Sequence, residues 1–281
     1  MNIVIAGLNG FLGQRIKKYF KTKENRIFDY KKKLPKQIHL LINVAGPNSE
    51  YCKRYPKRSI DERIKINKDL LKIAKKYEIN NYIYISTIHV YKKNKVINIS
   101  SKLNHKNSYS KSHIESEKYI IKNFNKICNF KILRVANCFG YSEKRHCKSW
   151  ELVINNLVKK LLIKKKIIIL SEENFYRDFI SVEYLIFFIN NLIKKNNKLK
   201  IINVSSNKSR SILSVCEDIK NLYSKKFKKD TKIISNFKSN GKKYKIISNF
   251  FSNKLKLICQ KLYYKELEDL INFCHKKFVK Y

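Results

Sequence analysis

Residues that interrupt or loosen a chain are scarce in this sequence, which has three prolines and six glycines among its 281 residues. It contains no stretch rich in glycine, serine and proline of the kind that forms a flexible linker, and it shows no internal repeat. A chain of this length fits one large α/β domain, or a main domain with a smaller lobe.

Long apolar runs are also missing. The longest, residues 184–193, includes two asparagines and is shorter than the roughly 18–20 residues that a membrane span needs. The first residues enter a strand-like run directly, without the basic, apolar and small-residue segments of a secretory signal. We therefore expect no membrane insertion and a cytoplasmic location.

Cysteines with the spacing of a metal site are not found. The seven cysteines are scattered, none forms a CxxC pair, and no Cys/His cluster has zinc spacing. We expect no bound metal and thiols that stay reduced.

Acidic residues are few beside the basic ones, since 21 Asp and Glu face 63 Lys and Arg and leave a net charge of +42. Such a charge often indicates a nucleic-acid partner. Here the excess is mostly lysine spread along the whole chain, without a basic block interleaved with aromatic residues. Nucleic-acid binding is not the expected main role, although the charge favours an anionic substrate by steering.

Half of the few glycines lie near the N-terminus, between an apolar run at residues 3–5 and a helical pattern at residues 14–20. Gly7 allows a sharp turn, Gly10 allows close approach of the backbone to a ligand, and Gly13 allows helix and strand to pack closely. The helix start then offers amide groups to a diphosphate. The alternative is a glycine-rich turn without a ligand. The expected cofactor contacts in this turn are Gly7, Gly10, Phe11, Leu12 and Gly13.

A short predicted strand at residues 26–29 ends in Asp29. An acid about 20 residues beyond such glycines can bond the adenosine ribose hydroxyls, which favours NAD. Lys31, Lys32 and Lys33 follow and could hold a 2′-phosphate, so NADP stays open as the alternative. Asp29 as a simple turn residue is the other interpretation.

Predicted strands and helices alternate along most of the chain, which favours a Rossmann-like, doubly wound, mostly parallel sheet with a smaller C-terminal substrate-binding lobe. We expect residues 1–165 to form the NAD(P)-binding domain. Residues 166–281 should form most of the substrate lobe, with some strands and helices returning to the first domain. The connection from Asp29 to the next predicted strand, residues 38–44, is shorter than a parallel crossover requires. One βα unit is therefore expected to be reduced to a loop.

Residues that can move a proton follow the predicted strand at residues 82–86. Thr87 lies just beyond the strand, where ligands bind in parallel sheets, while Tyr109 opens the next helix and His113 lies one turn further on the same face. A Tyr hydroxyl can transfer a proton at a carbonyl oxygen when a nearby cation lowers its pKa, and a Thr hydroxyl can bond the same oxygen. Ordinary helix-surface roles for Tyr109 and His113 are the alternative.

The ordered motifs resemble the extended short-chain dehydrogenase/reductases, the NAD-dependent epimerase/dehydratase family of nucleotide-sugar enzymes. They extend from residue 1 to about residue 215 of the sequence. The matching motifs are Gly7-x-x-Gly10-x-x-Gly13, Asn43-Val44-Ala45-Gly46, Ser86-Thr87-x-x-Val90-Tyr91, Tyr109-x-x-Ser112-His113-x-x-Ser116-Glu117, Arg134-x-x-Asn137-x-Phe139-Gly140 and Arg177-Asp178-Phe179-Ile180-x-Val182.

The resemblance implies that Tyr109 is the acid/base and that Thr87 bonds the reacting oxygen, with His113 as the third catalytic residue. It implies a nucleotide-diphosphate sugar as substrate and a homodimer through the helices at 60–77 and 109–124. The further cofactor contacts that it implies are Asp29, Ala45, Gly46, Ser86, Tyr109 and His113. The implied substrate contacts are Thr87, His89, Asn137 and Arg177.

Two departures from the family pattern bear on the reaction. His113 stands where the family has a lysine that bonds the nicotinamide ribose and lowers the Tyr pKa; an imidazole is only partly charged near neutral pH. Ile88 and His89 stand where dehydratases carry acidic residues, which argues against dehydration. The predicted function is an NAD(P)-dependent nucleotide-sugar epimerase or 4-keto-sugar reductase. The alternative is a non-catalytic NAD(P)-binding module that has lost the lysine.

Overall fold

The computed structural model describes residues 1–143, 147–194, 198–250 and 252–279. The strands are β1 (Asn2–Ala6), β2 (Arg26–Asp29), β3 (Leu40–Asn43), β4 (Asn81–Thr87), β5 (Val96–Ile97), β6 (Asn129–Val135), β7 (Asn137–Phe139), β8 (Ile167–Ile169), β9 (Glu173–Asn174), β10 (Tyr176–Ser181), β11 (Ile201–Val204), β12 (Ser209–Ser211), β13 (Ile233–Ser235), β14 (Ser239–Asn240) and β15 (Lys245–Ile246). The helices are α1 (Phe11–Phe20), α2 (Ser49–Arg54), α3 (Pro56–Lys76), α4 (Ser108–Phe124), α5 (Val153–Lys164), α6 (Val182–Lys194), α7 (Ile212–Phe227) and α8 (Asn253–Phe278). Short 3₁₀ turns lie at Ile88–Val90 and Lys148–Glu151.

The chain divides into two compact units. The first comprises Met1–Lys93, Ile99–Val135 and Asn196–Val204, and the second comprises Asn94–Asn98, Ala136–Lys195 and Ser205–Tyr281. The boundary expected between residues 165 and 166 falls inside the second unit, and strand β11 of the C-terminal half returns to the first. The substrate-binding role of the second unit stays a prediction.

The first unit contains a six-stranded parallel sheet in the order β11-β6-β4-β3-β1-β2. Alternate strand residues point to opposite faces. Val4 and Ala6 join an apolar cluster with Leu70 of α3 and Phe124 of α4, while residues of the other parity, such as Ile3, are equally buried. The sheet is covered on both faces, which confirms the predicted Rossmann-like fold.

The connection from β2 to β3 is a loop, as the sequence predicts. Residues 30–39 form turns and bends without a helix or strand, although β2 and β3 lie on opposite sides of β1. His39 anchors the loop, because its backbone N–H donates to the Asn2 carbonyl at 2.9 Å and its Nδ1 accepts from the Asn2 N–H at 3.0 Å. A single strand, β2, therefore lies beyond β1 in this sheet.

Helices α3 and α4 pack through polar residues. The buried face of α3 has apolar residues, Leu70 and Ala74, towards its C-terminal end. The same face continues towards the N-terminal end through the polar residues Ser59, Arg63 and Asn67. On α4 the facing residues are two serines spaced by one turn. The pairs in contact are Arg63 Nε with Ser112 Oγ at 3.0 Å and Asn67 Nδ2 with Ser116 Oγ at 2.9 Å. These bonds set the register of the two helices.

A buried ion pair joins α4 to the sheet. Arg134 on β6 donates from Nη2 to Glu117 Oε2 at 2.6 Å, and the two side chains are 6% and 2% exposed. Ser86 Oγ on β4 donates to Glu117 Oε1 at 2.5 Å. Arg134 Nη1 donates to the Tyr91 hydroxyl at 2.8 Å, which donates to Asn203 Oδ1 on β11 at 2.7 Å. This network ties together β4, β6, β11 and α4.

The second unit is built around a three-stranded sheet in the order β12-β10-β7, in which β10 is antiparallel to β12 and parallel to β7. Apolar residues of α5, α7 and α8 share one core cluster with residues of β7 and β10. One face of α8 is fully buried and has helical spacing, with Leu267, Leu270, Ile271 and Cys274. In the described part of the chain, no helix is long and apolar enough to cross a membrane.

Replacing Glu117 by Ala should lower the free energy of unfolding by about 3–5 kcal/mol, because Arg134 would stay buried without its counter-charge. Glu115→Ala is the matched control on the same helix. Its ion pair with Lys118 is solvent-exposed, so its loss should cost about 0–1 kcal/mol. Urea unfolding followed by circular dichroism measures both variants. Equal, small losses for the two would contradict the role assigned to the buried pair.

Candidate functional site

The N-terminal glycines form a tight turn between β1 and α1. Gly7 has φ +89°, a conformation that L side chains rarely adopt, and a Cβ there would lie 2.9 Å from the Ala45 backbone nitrogen. A Cβ on Gly13 would lie 2.1 Å from the Gly7 carbonyl oxygen. The sequence therefore needs glycine at both positions to fold this turn.

Gly10 differs from the other two glycines. It caps α1 in extended geometry, and a Cβ there would approach only the Gly7 carbonyl oxygen, at 3.3 Å. Phe11 and Leu12 follow in the first helical turn, which contains no acidic residue. The turn thus keeps a helix N-terminus with its amide groups and positive dipole end, which suits a bound phosphate.

Asp29 ends β2 and caps the turn that follows it. Its Oδ1 accepts from the Lys31 N–H at 3.0 Å, and its carbonyl accepts from the Lys32 N–H at 3.0 Å. Asp29 therefore stabilises a turn, which is one of the two interpretations that the sequence allows for it. The side chains of Lys31, Lys32 and Lys33 are exposed.

The loop after β3 brings Ala45 and Gly46 beside the glycine turn. The Ala45 N–H donates to Asn43 Oδ1 at 3.0 Å. Gly46 has φ +147°, and a Cβ on it would lie 2.2 Å from Arg63 Nη1. Glycine at position 46 therefore leaves space for the Arg63 guanidinium.

The end of β4 presents Ser86, Thr87 and His89. Ser86 is buried and its hydroxyl is bonded to Glu117, so its observed role is structural. Thr87 Oγ1 accepts from the His89 N–H at 3.2 Å, while the His89 side chain is exposed. Ser110 Oγ donates to the His89 carbonyl at 2.5 Å, which joins the first turn of α4 to the end of this strand.

Tyr109 lies in that first turn of α4 and is half-buried. Its ring is edge-on to the His113 ring, with the centroids 4.7 Å apart, and lies 6.4 Å from the His89 ring. The carbon of the Arg63 guanidinium lies 5.6 Å from the Tyr109 ring centroid. Burial raises the pKa of Tyr109 above 10.0, and the positive charge of Arg63 opposes that rise.

His113 is buried and is held by Tyr84, whose hydroxyl lies 2.9 Å from Nδ1. The same Tyr84 hydroxyl is hydrogen-bonded to Ser116, which accepts from Asn67 Nδ2. Whether Tyr84 or Nδ1 donates depends on the tautomer of the imidazole. Burial lowers the pKa of His113 well below 6.5, with Arg63 and His89 adding to the effect, so the ring is neutral at physiological pH. Within the described residues, Nε2 has no hydrogen-bond partner.

Arg63 was not among the residues predicted from the sequence. It is buried, and its Nε donates to Ser112 Oγ at 3.0 Å while Nη2 donates to the Pro47 carbonyl at 2.5 Å. The available signal was the spacing of Ser59, Arg63 and Asn67, which continues the buried stripe of α3.

Asn137 and Arg177 lie close together in the second unit, where Asn137 on β7 pairs with β10. Asn137 Nδ2 donates to the Asp178 carbonyl at 2.9 Å, so its amide holds the two strands together. Arg177 is half-buried, and its guanidinium lies over the Phe175 ring at 4.8 Å. Substrate contact by either residue stays a prediction.

Asp178 is a fully buried acid beside Arg177. Its Oδ1 accepts from the Ser206 N–H at 2.9 Å, while Oδ2 has no hydrogen-bond partner among the residues that the structure describes. Burial raises the pKa of Asp178 to about 7, against opposing hydrogen bonds from Ser206. This carboxyl is therefore part-protonated near neutral pH.

The parallel sheet and the glycine turn after β1 define a Rossmann-like protein. The chain belongs to the NAD dependent epimerase/dehydratase family, whose model matches residues 22–205, more than half of its length. The glycine turn lies ahead of the matched segment. No curated protein matches the chain by sequence.

Several solved structures share the fold at low sequence identity. RMD from Pseudomonas aeruginosa, complexed with NADPH, is 15% identical with a TM-score of 0.78, over 98% of this chain and 99% of that one. UDP-N-acetylglucosamine 4-epimerase from Methanobrevibacter ruminantium, in complex with UDP-N-acetylmuramic acid, is 17% identical with a TM-score of 0.78, over 99% of each chain. UDP-glucose 4-epimerase from Thermotoga maritima, with UDP-glucose, is 14% identical with a TM-score of 0.77, over 99% of this chain and 100% of that one.

Replacing Asp178 by Asn should stabilise the protein more at alkaline than at acid pH. The folded-state pKa of about 7 exceeds the ordinary 3.8, so the wild type loses stability as pH rises between these values. The Asn variant lacks this loss, and its advantage should grow by about 2–3 kcal/mol between roughly pH 5 and pH 8. Thermal and urea unfolding across this range measure the change.

Asp230→Asn is the control for this prediction. Asp230 is exposed and its pKa is lowered, first by the Thr231 backbone N–H, so it is ionised in both folded and unfolded states across the same range. The Asp230→Asn variant should parallel the wild type. A parallel curve for the Asp178→Asn variant as well would contradict the raised pKa.

Proposed function

We propose that this protein is an NAD(P)-dependent nucleotide-sugar epimerase or 4-keto-sugar reductase. The observation that carries the proposal is the position of Tyr109. It stands at the start of α4, which Ser110 ties to the end of β4 beside Thr87. That edge of a parallel sheet is where ligands bind in such folds.

The residues around the glycine turn fit a dinucleotide. Gly7 and Gly13 allow no Cβ, and the first turn of α1 carries no acid that would repel a diphosphate. Gly7, Gly10, Phe11, Leu12 and Gly13 would hold the diphosphate, with Ala45 and Gly46 lining the adjoining loop. A nicotinamide bound there would supply hydride transfer to and from the sugar carbon.

NAD is the proposed cofactor, with NADP as the alternative. Asp29 uses one carboxylate oxygen in its turn, which leaves the second for a ribose hydroxyl. Lys31, Lys32 and Lys33 favour a 2′-phosphate instead. One structural neighbour is described with NADPH.

Tyr109 is the proposed acid/base. It takes the proton of the sugar hydroxyl when the sugar carbon is oxidised, and it gives a proton to the carbonyl oxygen when that carbon is reduced. Thr87 Oγ1 accepts from the His89 N–H, which leaves its own hydrogen to donate to the same sugar oxygen. His113 Nε2 would bond the nicotinamide ribose, which would give this buried nitrogen a hydrogen-bond partner.

A nucleotide-diphosphate sugar is the proposed substrate. Two neighbours are 4-epimerases in complex with UDP-linked compounds, and a guanidinium such as Arg177 suits a diphosphate. Asn137 and His89 are further proposed contacts. The net charge of +42 would steer an anionic substrate towards the protein.

A dehydratase is less favoured, because Ile88 and His89 stand where elimination of water would need carboxyl groups. A non-catalytic NAD(P)-binding module is the second candidate. The neutral state of His113 favours it, since the family's ammonium group is missing at that position.

We also propose a cytoplasmic homodimer through α3 and α4, the helices at Pro56–Lys76 and Ser108–Phe124. Their outer faces expose several lysines, among them Lys65, Lys68, Lys111 and Lys118. Such a dimer would bring like charges together and would be favoured by added salt.

Replacing Gly10 by Ala should leave the protein folded but weaken NAD binding at least about tenfold. The backbone at position 10 is extended and its nearest obstacle lies 3.3 Å from the new Cβ. The methyl group would nevertheless occupy the surface that the diphosphate must approach. Calorimetric titration with NAD and NADP measures affinity, and the melting temperature without ligand is the control. Unchanged affinity in the folded variant would contradict the proposed cradle.

Replacing Tyr109 by Phe should lower kcat about 10²–10⁴-fold with cofactor affinity unchanged, because only the transferable proton is lost. UDP-, dTDP- and GDP-sugars and 4-keto-sugars would be supplied while the absorbance of reduced nicotinamide is followed. Net oxidation with one keto-sugar indicates a reductase, whereas interconversion of sugars without net change indicates an epimerase. Tight cofactor binding without turnover, unaltered in the Tyr109→Phe variant, would support the binding module instead.

A further inference from the structure

The buried positive charge beside Tyr109 belongs to Arg63 and not to the residue at position 113, where the family has a lysine. His113 is neutral because it is buried, so it places no fixed positive charge beside Tyr109. The Arg63 guanidinium lies over the Tyr109 ring, 5.6 Å from its centroid. A guanidinium keeps its charge at every pH at which a protein is folded.

Helix α4 and the loop after β3 hold this guanidinium in place. Its Nε bonds Ser112 on α4, and its Nη2 bonds the Pro47 carbonyl in the loop after β3. The missing side chain of Gly46 provides the space for Nη1. Arg63 is 5% exposed, so solvent screens its charge less than that of a surface arginine.

We propose that Arg63 is the positioning residue that stabilises the phenolate form of Tyr109, in place of the lysine that the family carries at position 113. This inference rests on the proposed function of Tyr109 as acid/base. The positive charge is on α3, whereas the family motif places it on α4 at position 113. Tyr109 therefore keeps an electrostatic partner although His113 is neutral.

The other groups around Tyr109 do not supply this charge. His113 on α4 is neutral, and the buried Cys52 on α2 and Tyr84 on β4 would carry only negative charge on ionisation. His89, in the turn after β4, is exposed, so solvent screens its interaction with Tyr109. Arg63 is the group of this cluster that stays positive in the pH range where a tyrosine titrates.

The test is the titration of Tyr109 in the cofactor-free protein. The near-ultraviolet absorbance of tyrosinate would be followed against pH, and the Tyr109→Phe curve would be subtracted from that of the otherwise identical protein. In the Arg63→Gln variant we expect the pKa of Tyr109 to rise by about one unit or more. Gln retains an N–H donor for the Pro47 carbonyl. Arg63→Lys keeps the charge and should leave the pKa within about half a unit of the wild type.

Arg58→Gln is the matched control. Arg58 lies on the same helix, but its side chain is 71% exposed and pairs with Glu62. Removing this charge should not change the titration of Tyr109, because solvent screens it. A Tyr109 titration that is the same in the wild type and in the Arg63→Gln variant overturns the inference.

A second variant covers the case in which Arg63→Gln does not fold. The double variant Arg63→Gln, His113→Lys places a cation at position 113, where the family has its lysine. We expect this variant to fold, with the pKa of Tyr109 near that of the wild type. A folded double variant in which Tyr109 titrates at the same pH as in the His113→Lys single variant would also overturn the inference, because the loss of Arg63 would then have no effect.

The result separates this inference from the proposed function. If the wild type neither binds NAD nor turns over any sugar, but Arg63→Gln still raises the pKa of Tyr109, the function fails and the inference holds. If the wild type is active and Arg63→Gln leaves both the Tyr109 titration and the pH profile of kcat unchanged, the reverse is true. For an active enzyme, we expect Arg63→Gln to shift the pH profile of kcat to higher pH. Arg63→Lys should return that profile to its wild-type position.

Discussion

The buried pair of Glu117 and Arg134 is the interaction on which the arrangement of the first unit depends. Its carboxylate and guanidinium are almost completely removed from water, so each is tolerable only while the other is present. Ser86 and Tyr91 satisfy the remaining polar atoms of the pair. Because the four residues come from α4, β4, β6 and the turn after β4, any shift of α4 would break several charged bonds at once.

A second set of polar contacts, between α3 and α4, positions the candidate site. Arg63 and Asn67 meet Ser112 and Ser116 with the same one-turn spacing on both helices. Apolar ridges alone would permit neighbouring registers of α3 on α4 at little cost, whereas a slipped register here would leave buried donors unpaired. The start of α4, and with it Tyr109, is therefore held at a defined height beside the end of β4.

Much of the fold was predictable from the sequence because apolar strands, glycine spacing and helical periodicity are local signals. The places of Thr87 at the end of a strand and of Tyr109 in the first turn of a helix followed from the same signals, while their roles stay predictions. Arg63 was not predictable in this way, since it is one of 63 basic residues and only its partners on another helix reveal its burial. The role of Ser86 depends likewise on Glu117, which is distant in sequence. The return of β11 agrees with the expectation that some strands of the C-terminal half belong to the first domain. The start of the second unit at Ala136 was not predictable, because no change of composition marks residue 135.

The short loop at residues 30–39 has a consequence for how long a cofactor would stay bound. With one strand beyond β1 in the described part of the sheet, the adenosine end of a dinucleotide would have fewer strands to contact on that side. An epimerase regenerates its cofactor in each cycle and gains from retaining it, whereas a reductase must exchange it after every turnover. Within the proposed function, a sheet edge with so few strands would bind the cofactor less tightly and release it sooner. It would suit an enzyme that exchanges its cofactor with free nucleotide in solution after each turnover.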